Sequence, residues 1–418
     1  VIKVYLHTFG CKANQYDTEV VRQAFECNGA EVVADPATAD VAVVNSCTVT
    51  HVSEAKMRGL VRRLGRENGG IRTVVMGCAA ELDDGSIAGL PSVTGVVGGT
   101  DPGSVLKAAG IASRSLDPVL RRFDRTSRAW LKIQDGCDEH CTFCATTLAR
   151  GNSRSREPRE IVKEAHALAT QHSEIVLTGV HIGSYGNDLS GRTTLGSLVE
   201  SLVSEIPGVR FRLTSVEATE IEDRLVDVMC SEPESLAPHV HAPLQSGSDR
   251  LLRRMGRHWY TALGYRRRVE RIATRLPLLG LGADIMVGFP SESSEDHRAT
   301  VSLVEDLPFT YLHVFPYSQR PGAASQRLGR PVDAEVSRCR SLELRELAGR
   351  KAQAHRVRSE GTVADVVLLL RNGGRFEGLT GDYLTAYIDS SQGSYTRCAA
   401  TLEVVDDTLW AHPLETPR

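Results

Sequence analysis

Three cysteines crowd one short segment, Cys137-Asp138-Glu139-His140-Cys141-Thr142-Phe143-Cys144, at CxxxCxxC spacing. Thiolates this close can converge from a single loop onto one inorganic unit. A 4Fe–4S cluster ordinarily takes four cysteines. Three leave one iron open, as catalytic metal sites keep a position open. Zinc, completed by His140 or a distant residue, is the other chemistry these residue types allow, although His140 by itself reads as a loop residue. Three further cysteines, Cys11, Cys47 and Cys78, recur at similar intervals in the first part of the chain.

The elements around these cysteines alternate. Residues 2–7, 40–45 and 73–76 are short apolar runs, each followed by a loop that carries one of the three cysteines. Helical patterns follow at 17–27 and 53–66. Strands alternating with helices imply a parallel sheet. Ligands gather at the carboxyl ends of such strands, so the three loops should converge at one edge. Residues 116–127, rich in arginine and aspartate, read as a linker. From about 129 to 347 the alternation resumes, with strands at 129–134, 174–178, 210–215, 239–244, 283–287 and 311–315. Helices at 158–170, 194–206 and 265–276 separate them. Six strands with crossover helices predict an open, partial (βα)6 barrel whose site lies at the strand carboxyl ends. Beyond about 352 the texture becomes β only, with strands at 362–370 and 383–389 and a turn at Asn372-Gly373-Gly374, predicting a small antiparallel barrel. The domains expected are 1–115, 128–350 and 352–418, in an α/β protein.

A chain of 418 residues with 41% apolar and 24% charged residues has the composition of a globular protein with more than one domain. No apolar run is long enough to cross a bilayer, and residues 1–6 are far shorter than a secretory signal. A cytoplasmic protein without a membrane partner is expected. Ten cysteines without a disulfide context favour metal or catalytic roles. Cys27, Cys230, Cys339 and Cys398 fit no pattern and are expected to be small buried hydrophobes. The thirteen histidines show no ligand spacing. Net charge is −3, yet arginines cluster at 121–128, 150–159 and 250–275. Such patches matter more for nucleic acid than the total.

The cysteine loop, with Phe143 in its aromatic position, resembles the signature of the radical S-adenosylmethionine superfamily. The resemblance implies that Cys137, Cys141 and Cys144 hold a 4Fe–4S cluster whose open iron binds S-adenosylmethionine. One electron would then release a 5′-deoxyadenosyl radical, with the protein supplying orientation and exclusion of water. The likeness narrows with Leu6-His7-Thr8-Phe9-Gly10-Cys11-Lys12-Ala13-Asn14-Gln15-Tyr16-Asp17, with Val44-Asn45-Ser46-Cys47-Thr48-Val49-Thr50 and with Met76-Gly77-Cys78-Ala79-Ala80. These resemble the amino-terminal domain of the methylthiotransferases, where Cys11, Cys47 and Cys78 would hold a second 4Fe–4S cluster with an open iron. The last domain is similar in place and length to that family's TRAM barrel.

The same resemblance assigns strand-end segments to S-adenosylmethionine: Thr178 and Gly179 at the methionine amine, Ser215 and Glu217 at the ribose or methionine, and Ile285 and Val287 beside adenine. Leu244-Gln245-Ser246-Gly247-Ser248-Asp249 and Phe315-Pro316-Tyr317-Ser318 resemble further motifs near the site. Arg150, Arg154 and Arg156, just after the cluster loop, are expected to hold phosphates while a base leaves its stack in an anticodon loop. Departures from the family fall at Ala145-Thr146-Thr147, Ala218, Glu81 and Trp259.

Family branches differ in substrate. Gly10-Cys11-Lys12-Ala13-Asn14-Gln15-Tyr16 and Thr178-Gly179-Val180-His181-Ile182-Gly183-Ser184-Tyr185-Gly186 resemble the branch acting on N6-threonylcarbamoyladenosine, 3′ of the anticodon in tRNA. The other branches act on isopentenyladenosine in tRNA and on a ribosomal-protein aspartate. The expected electron donor is a flavodoxin or ferredoxin. Residues 352–418 carry six arginines, no lysine and nine acidic residues, an adverse balance for phosphate attraction. A non-catalytic two-cluster electron carrier and a zinc-dependent RNA-binding module are the readings from other classes.

Overall fold

Every residue of the strand Val41–Ser46 is buried, as befits the centre of a parallel sheet covered on both faces. Around it the strands run Glu31–Val33, Lys3–Thr8, Val41–Ser46, Arg72–Gly77 and Val93–Gly98, all parallel. Alternate residues face opposite layers. Ala42, Val44 and Val75 pack on Met57, Leu60, Val61 and Leu64 of the helix His51–Glu67. Val41, Val43, Val74 and Met76 pack on Val21 and Phe25 of the helix Lys12–Cys27. That helix starts five residues before the expected position, directly after Cys11, because Ala13 and Asn14 are already buried in it. The computed structural model describes residues 1–48, 51–124, 126–191, 193–372, 375–389 and 396–414, which gather into two compact units. The first comprises 1–124, 134–154 and 318–326; the second holds the rest. Val49, Thr50, Arg125 and the Gly373-Gly374 turn lie outside the described residues.

The expected linker is a strap. Gln23 Nε2 donates to the Val119 carbonyl at 2.8 Å, the Asn28 side chain holds Arg114 and Ser115, and Val119, Leu120 and Phe123 are buried. Fixed apolar anchors, invisible in a polar composition, make the difference.

In the second unit six parallel strands form two sheets, ordered Arg210–Leu213, Glu174–Thr178, Arg128–Lys132 and His239–His241, Gly280–Val287, Tyr311–Pro316. Parallel bridges from Phe211 to Leu236 and from Ser215 to His241 join them into one partial barrel. The register stacks its lining in layers. Arg128, Glu174 and Arg210 are aligned across three strands, and His241, Gly282 and Tyr311 across the other three. Arg212 and Tyr311 both reach the ring of Tyr383, at 5.2 Å and 5.3 Å, so these two faces converge on one side chain and form the concave interior.

Tyr383 belongs to the carboxy-terminal barrel, whose strands Val363–Asn372, Arg375–Thr380, Thr385–Asp389, Arg397–Val405 and Thr408–Pro413 close on themselves. The expectation of an antiparallel barrel needs one amendment. With an odd number of strands, antiparallel neighbours cannot alternate around the whole ring, and Thr385–Asp389 pairs with Thr408–Pro413 in parallel. The barrel's acidity also has a partner within the chain. Asp365 takes Arg210 and Arg397, and the carbonyls of Leu379, Thr380 and Gly381 accept from Arg210 and Arg212.

Glu174 organises this junction. Fully buried, it accepts from Arg128 at 2.6 Å, Arg210 at 2.6 Å and Arg212 at 3.0 Å. Burial alone would raise its carboxyl, but Arg212, Arg210 and Arg128 together hold it well below the ordinary carboxylate range. A carboxylate depressed in the folded state stabilises fully above its unfolded pKa, and that contribution fades as pH falls below about 4.5 toward the folded value. Glu174→Gln leaves three buried guanidiniums short of charge and should cost about 3–5 kcal/mol in urea unfolding at neutral pH. The deficit relative to wild type should shrink as the unfolding series is carried below that pH.

Candidate functional site

Cys11, Cys47 and Cys78 each follow the carboxyl end of one of three adjacent parallel strands, Lys3–Thr8, Val41–Ser46 and Arg72–Gly77. The pairing of Ser46 with Gly77 brings Cys47 and Cys78 out at the same level. Two glycines make room. At Gly10, φ +107°, a Cβ would sit 2.9 Å from the Cys47 Cβ and 3.0 Å from its sulfur. At Gly77, φ +91°, it would overlap the side chain of Asn45. Both are conformations that only glycine adopts without strain.

Asn14, one turn into the first helix, lies among the thiols. Its Oδ1 is 3.7 Å from the Cys11 sulfur and 4.0 Å from that of Cys78, and its amide donates to the Phe9 and Ser46 carbonyls at 2.9 Å. Burial pushes the Cys78 thiol up, an effect that the Arg150 guanidinium, with Nε 3.2 Å from the sulfur, offsets only in part. Arg320, itself buried, donates to the Thr48 carbonyl at 3.1 Å, immediately beyond Cys47. Three cysteines on adjacent loops, with one guanidinium against Cys78 and another beside Thr48, suit a cluster bound as thiolates.

The second cysteine segment is shaped by backbone. Gly136 has φ +72°, and a Cβ there would overlap the Asn152 carbonyl. The Cys137 amide donates to Gly151 at 3.0 Å, closing the loop at its base. The Glu139 amide donates to the Cys137 sulfur at 3.4 Å, and the Thr146 amide to that of Cys144 at 3.3 Å. Amides aimed at sulfurs favour the thiolate form, as cluster ligation requires. Thr146, one of the departures from the family pattern, thus touches an expected ligand. Phe143 is half-buried in the same loop.

The three arginines expected at a phosphate rim separate. Arg150, its side chain 7% exposed, is held by Asp17 at 2.9 Å, Asp135 at 2.9 Å and Asn14 at 2.6 Å, which leaves no face for a phosphate. Arg156 is committed to Glu164 at 3.1 Å and the Lys132 carbonyl at 2.8 Å. Arg154 alone is exposed, resting on the Asn152 and Arg150 carbonyls with no carboxylate partner among the described residues. Many of the other clustered arginines are likewise ion-paired, among them Arg250 with Asp296 and Arg268 with Asp223.

In the partial barrel, Thr178 ends its strand fully buried, Gly179 follows half-buried and Ser215 is exposed. Glu217 is buried, with Arg257 on Oε1, while Oε2 has no hydrogen-bond partner among the described residues. Burial raises its carboxyl and Arg257 opposes this. Arg257 in turn lies over the rings of Trp259 and Tyr260, at 4.8 Å and 5.1 Å, so the unexpected tryptophan helps to fix it. A buried carboxylate oxygen lacking a donor suits the hydroxyls of S-adenosylmethionine.

Ile285 and Val287 lie near the end of the strand Gly280–Val287. Asp284 shares the concave face with Gly282, so by strand alternation these two point outward into the core, where both are fully buried. The alternate positions of that strand face the barrel interior. Register, not sequence spacing, assembles histidines there: His241 Nε2 and His313 Nδ1 stand 3.2 Å and 3.3 Å from Asp284 Oδ1, and Tyr311 bonds His241 at 3.0 Å. Of the four unpatterned cysteines only Cys398 is buried; Cys27, Cys230 and Cys339 are exposed.

Residues 3–98 match the family described as Uncharacterized protein family UPF0004, and residues 131–304 match the Radical SAM superfamily. The chain is 35% identical to the threonylcarbamoyladenosine tRNA methylthiotransferase MtaB of Bacillus subtilis, over 87% of this chain and 84% of that protein. It is 31% identical to the tRNA-2-methylthio-N(6)-dimethylallyladenosine synthase of Zymomonas mobilis, over 90% of this chain and 88% of that one. Its fold resembles the radical S-adenosylmethionine methyltransferase TsrM of Kitasatospora setae, with a TM-score of 0.59 at 16% identity, covering 78% of this chain and 77% of that one. The chain belongs to the radical S-adenosylmethionine tRNA methylthiotransferase family.

Proposed function

We propose that the protein converts N6-threonylcarbamoyladenosine in the anticodon loop of tRNA to its 2-methylthio derivative, replacing C–H by C–SCH3. The observation that carries this reading is the presence on one chain of two cysteine triads, one gathered at the edge of a parallel sheet and one in a glycine-closed loop. The branch is supported by the 35% identity to the enzyme named for that nucleoside. Enzymes of this family work with two 4Fe–4S clusters and S-adenosylmethionine. Cys137, Cys141 and Cys144 would hold one cluster, and Cys11, Cys47 and Cys78 the other. When bound, these groups supply one-electron reduction, a hydrogen-abstracting radical and the sulfur to be transferred.

The chain's own residues bind and orient. Glu217, held on one side by Arg257, offers its second oxygen to ribose hydroxyls, and Thr178 and Gly179 stand at the end of their strand, where the methionine amine is expected. Arg154 is the remaining phosphate ligand of the expected three. On the acidic terminal barrel, recognition of RNA falls to stacking, which needs no net charge. Arg375 lies 4.8 Å over the ring of Trp410, and Tyr387 is 6.2 Å from the same ring. Among the described residues no helix is long and apolar enough to cross a membrane. The reading places the enzyme in the cytoplasm, reduced by a flavodoxin or ferredoxin.

His313 is proposed to select the substrate. Its side chain is 62% exposed on the concave face, its Nδ1 faces Asp284, and Nε2 has no partner among the described residues. The threonylcarbamoyl group carries a carboxylate; the isopentenyl group is apolar.

Two outcomes are expected. Anaerobic incubation of the reconstituted protein with reductant, S-adenosylmethionine and tRNA bearing threonylcarbamoyladenosine, followed by nucleoside mass spectrometry, should reveal a methylthio adduct on that nucleoside. Formation of the adduct only on isopentenyladenosine would transfer the protein to the other tRNA branch. Second, His313→Phe should lower the ratio of carboxylated to isopentenylated substrate turnover at least about tenfold, the scale set by leaving a polar group unpaired. An unchanged ratio would remove His313 from recognition.

A further inference from the structure

Arg150 makes its contacts with groups of the chain itself: the Cys78 sulfur, Asn14, Asp17 and Asp135. It ends the short helix Thr146–Arg150, which begins two residues after Cys144. From there the guanidinium reaches the other triad, with Nε 3.2 Å from the Cys78 sulfur, Nη2 2.6 Å from Asn14 Oδ1 and 2.9 Å from Asp17. Nη1 meets both oxygens of Asp135, at 2.9 Å and 3.0 Å. Asn14 Oδ1 itself borders the Cys11 and Cys78 sulfurs. The guanidinium is therefore pinned, with its Nε against the Cys78 sulfur.

A hydrogen bond and a positive charge on a ligand sulfur favour the more negative, reduced state of an iron–sulfur cluster and so raise its potential. Carboxylates nearby act in the opposite sense. We propose that Arg150 sets the reduction potential of the cluster held by Cys11, Cys47 and Cys78, with Asp135 and Asp17 moderating its charge. Arg150 is a positioning residue here: it acts through the Cys78 sulfur, to which its Nε donates at 3.2 Å. The arrangement also ties the amino-terminal triad to the segment carrying Cys137, Cys141 and Cys144 through one side chain. The inference rests on the proposal that the amino-terminal triad holds a cluster. Iron content tests that proposal separately.

The test is a potentiometric titration followed by electron paramagnetic resonance, in full-length protein whose Cys137, Cys141 and Cys144 are replaced by alanine, so that one cluster is read. About four irons per chain in this background would establish the amino-terminal cluster before any potential is compared. Arg150→Met should shift the midpoint to lower potential, Arg150→Lys should restore most of the shift, and Asp135→Asn should move the midpoint upward. A role limited to packing predicts no such opposition of sign. Unchanged midpoints, or shifts in one direction for Arg150→Met and Asp135→Asn, would overturn the proposal. Should Arg150→Met fail to fold or to hold iron, Asp135→Asn decides alone: an upward shift supports the proposal and a midpoint at the wild-type value refutes it.

Discussion

Three thiolates held close together repel one another and resist burial, and the first unit is organised around that constraint. Parallel strands solve the geometric half, because equal registers deliver consecutive loops to the same edge. Glycines at positions 10 and 77 remove the side chains that would keep those loops apart. The electrostatic half needs cations fixed nearby, since burial alone favours the neutral thiol. Arg150 and Arg320 provide them from segments far along the chain, and Arg150 is held in turn by carboxylates on the first helix and at Asp135.

Arginine plays a comparable part in the second unit. Arg128, Arg210 and Arg212 share Glu174, and the last two extend to the backbone of the terminal barrel. The net acidity of that barrel is thereby partly matched within the chain. A composition that argues against phosphate attraction reflects, in part, an internal junction. The same junction seats Tyr383 against Tyr311 and Arg212 on the concave face, so the small barrel helps to close the interior that it adjoins.

How far the sequence speaks depends on the range over which a contact is made. The cysteine loop is legible because its ligands lie within eight residues, and Cys11, Cys47 and Cys78 because each follows a strand whose alternation with helices declares a parallel sheet. The burial of Arg150 is not legible, since its partner Asp17 lies 133 positions away and nothing local announces the pair. His241, Asp284 and His313 carry no motif; only the register of three strands assembles them. For Ile285 and Val287 the motif marks the strand, while alternation decides which side chains face inward. The exposed Cys27, Cys230 and Cys339 follow from helix faces that apolar character alone does not reveal.

Replacing C–H by C–SCH3 on the base requires hydrogen abstraction by a radical made from S-adenosylmethionine. Transfer RNA carrying deuterium at C2 of the modified adenosine tests this directly, with the 5′-deoxyadenosine product weighed after turnover. Appearance of one deuterium in 5′-deoxyadenosine, in step with methylthio product, is the predicted result. Methylthio product accompanied by 5′-deoxyadenosine free of deuterium would contradict it.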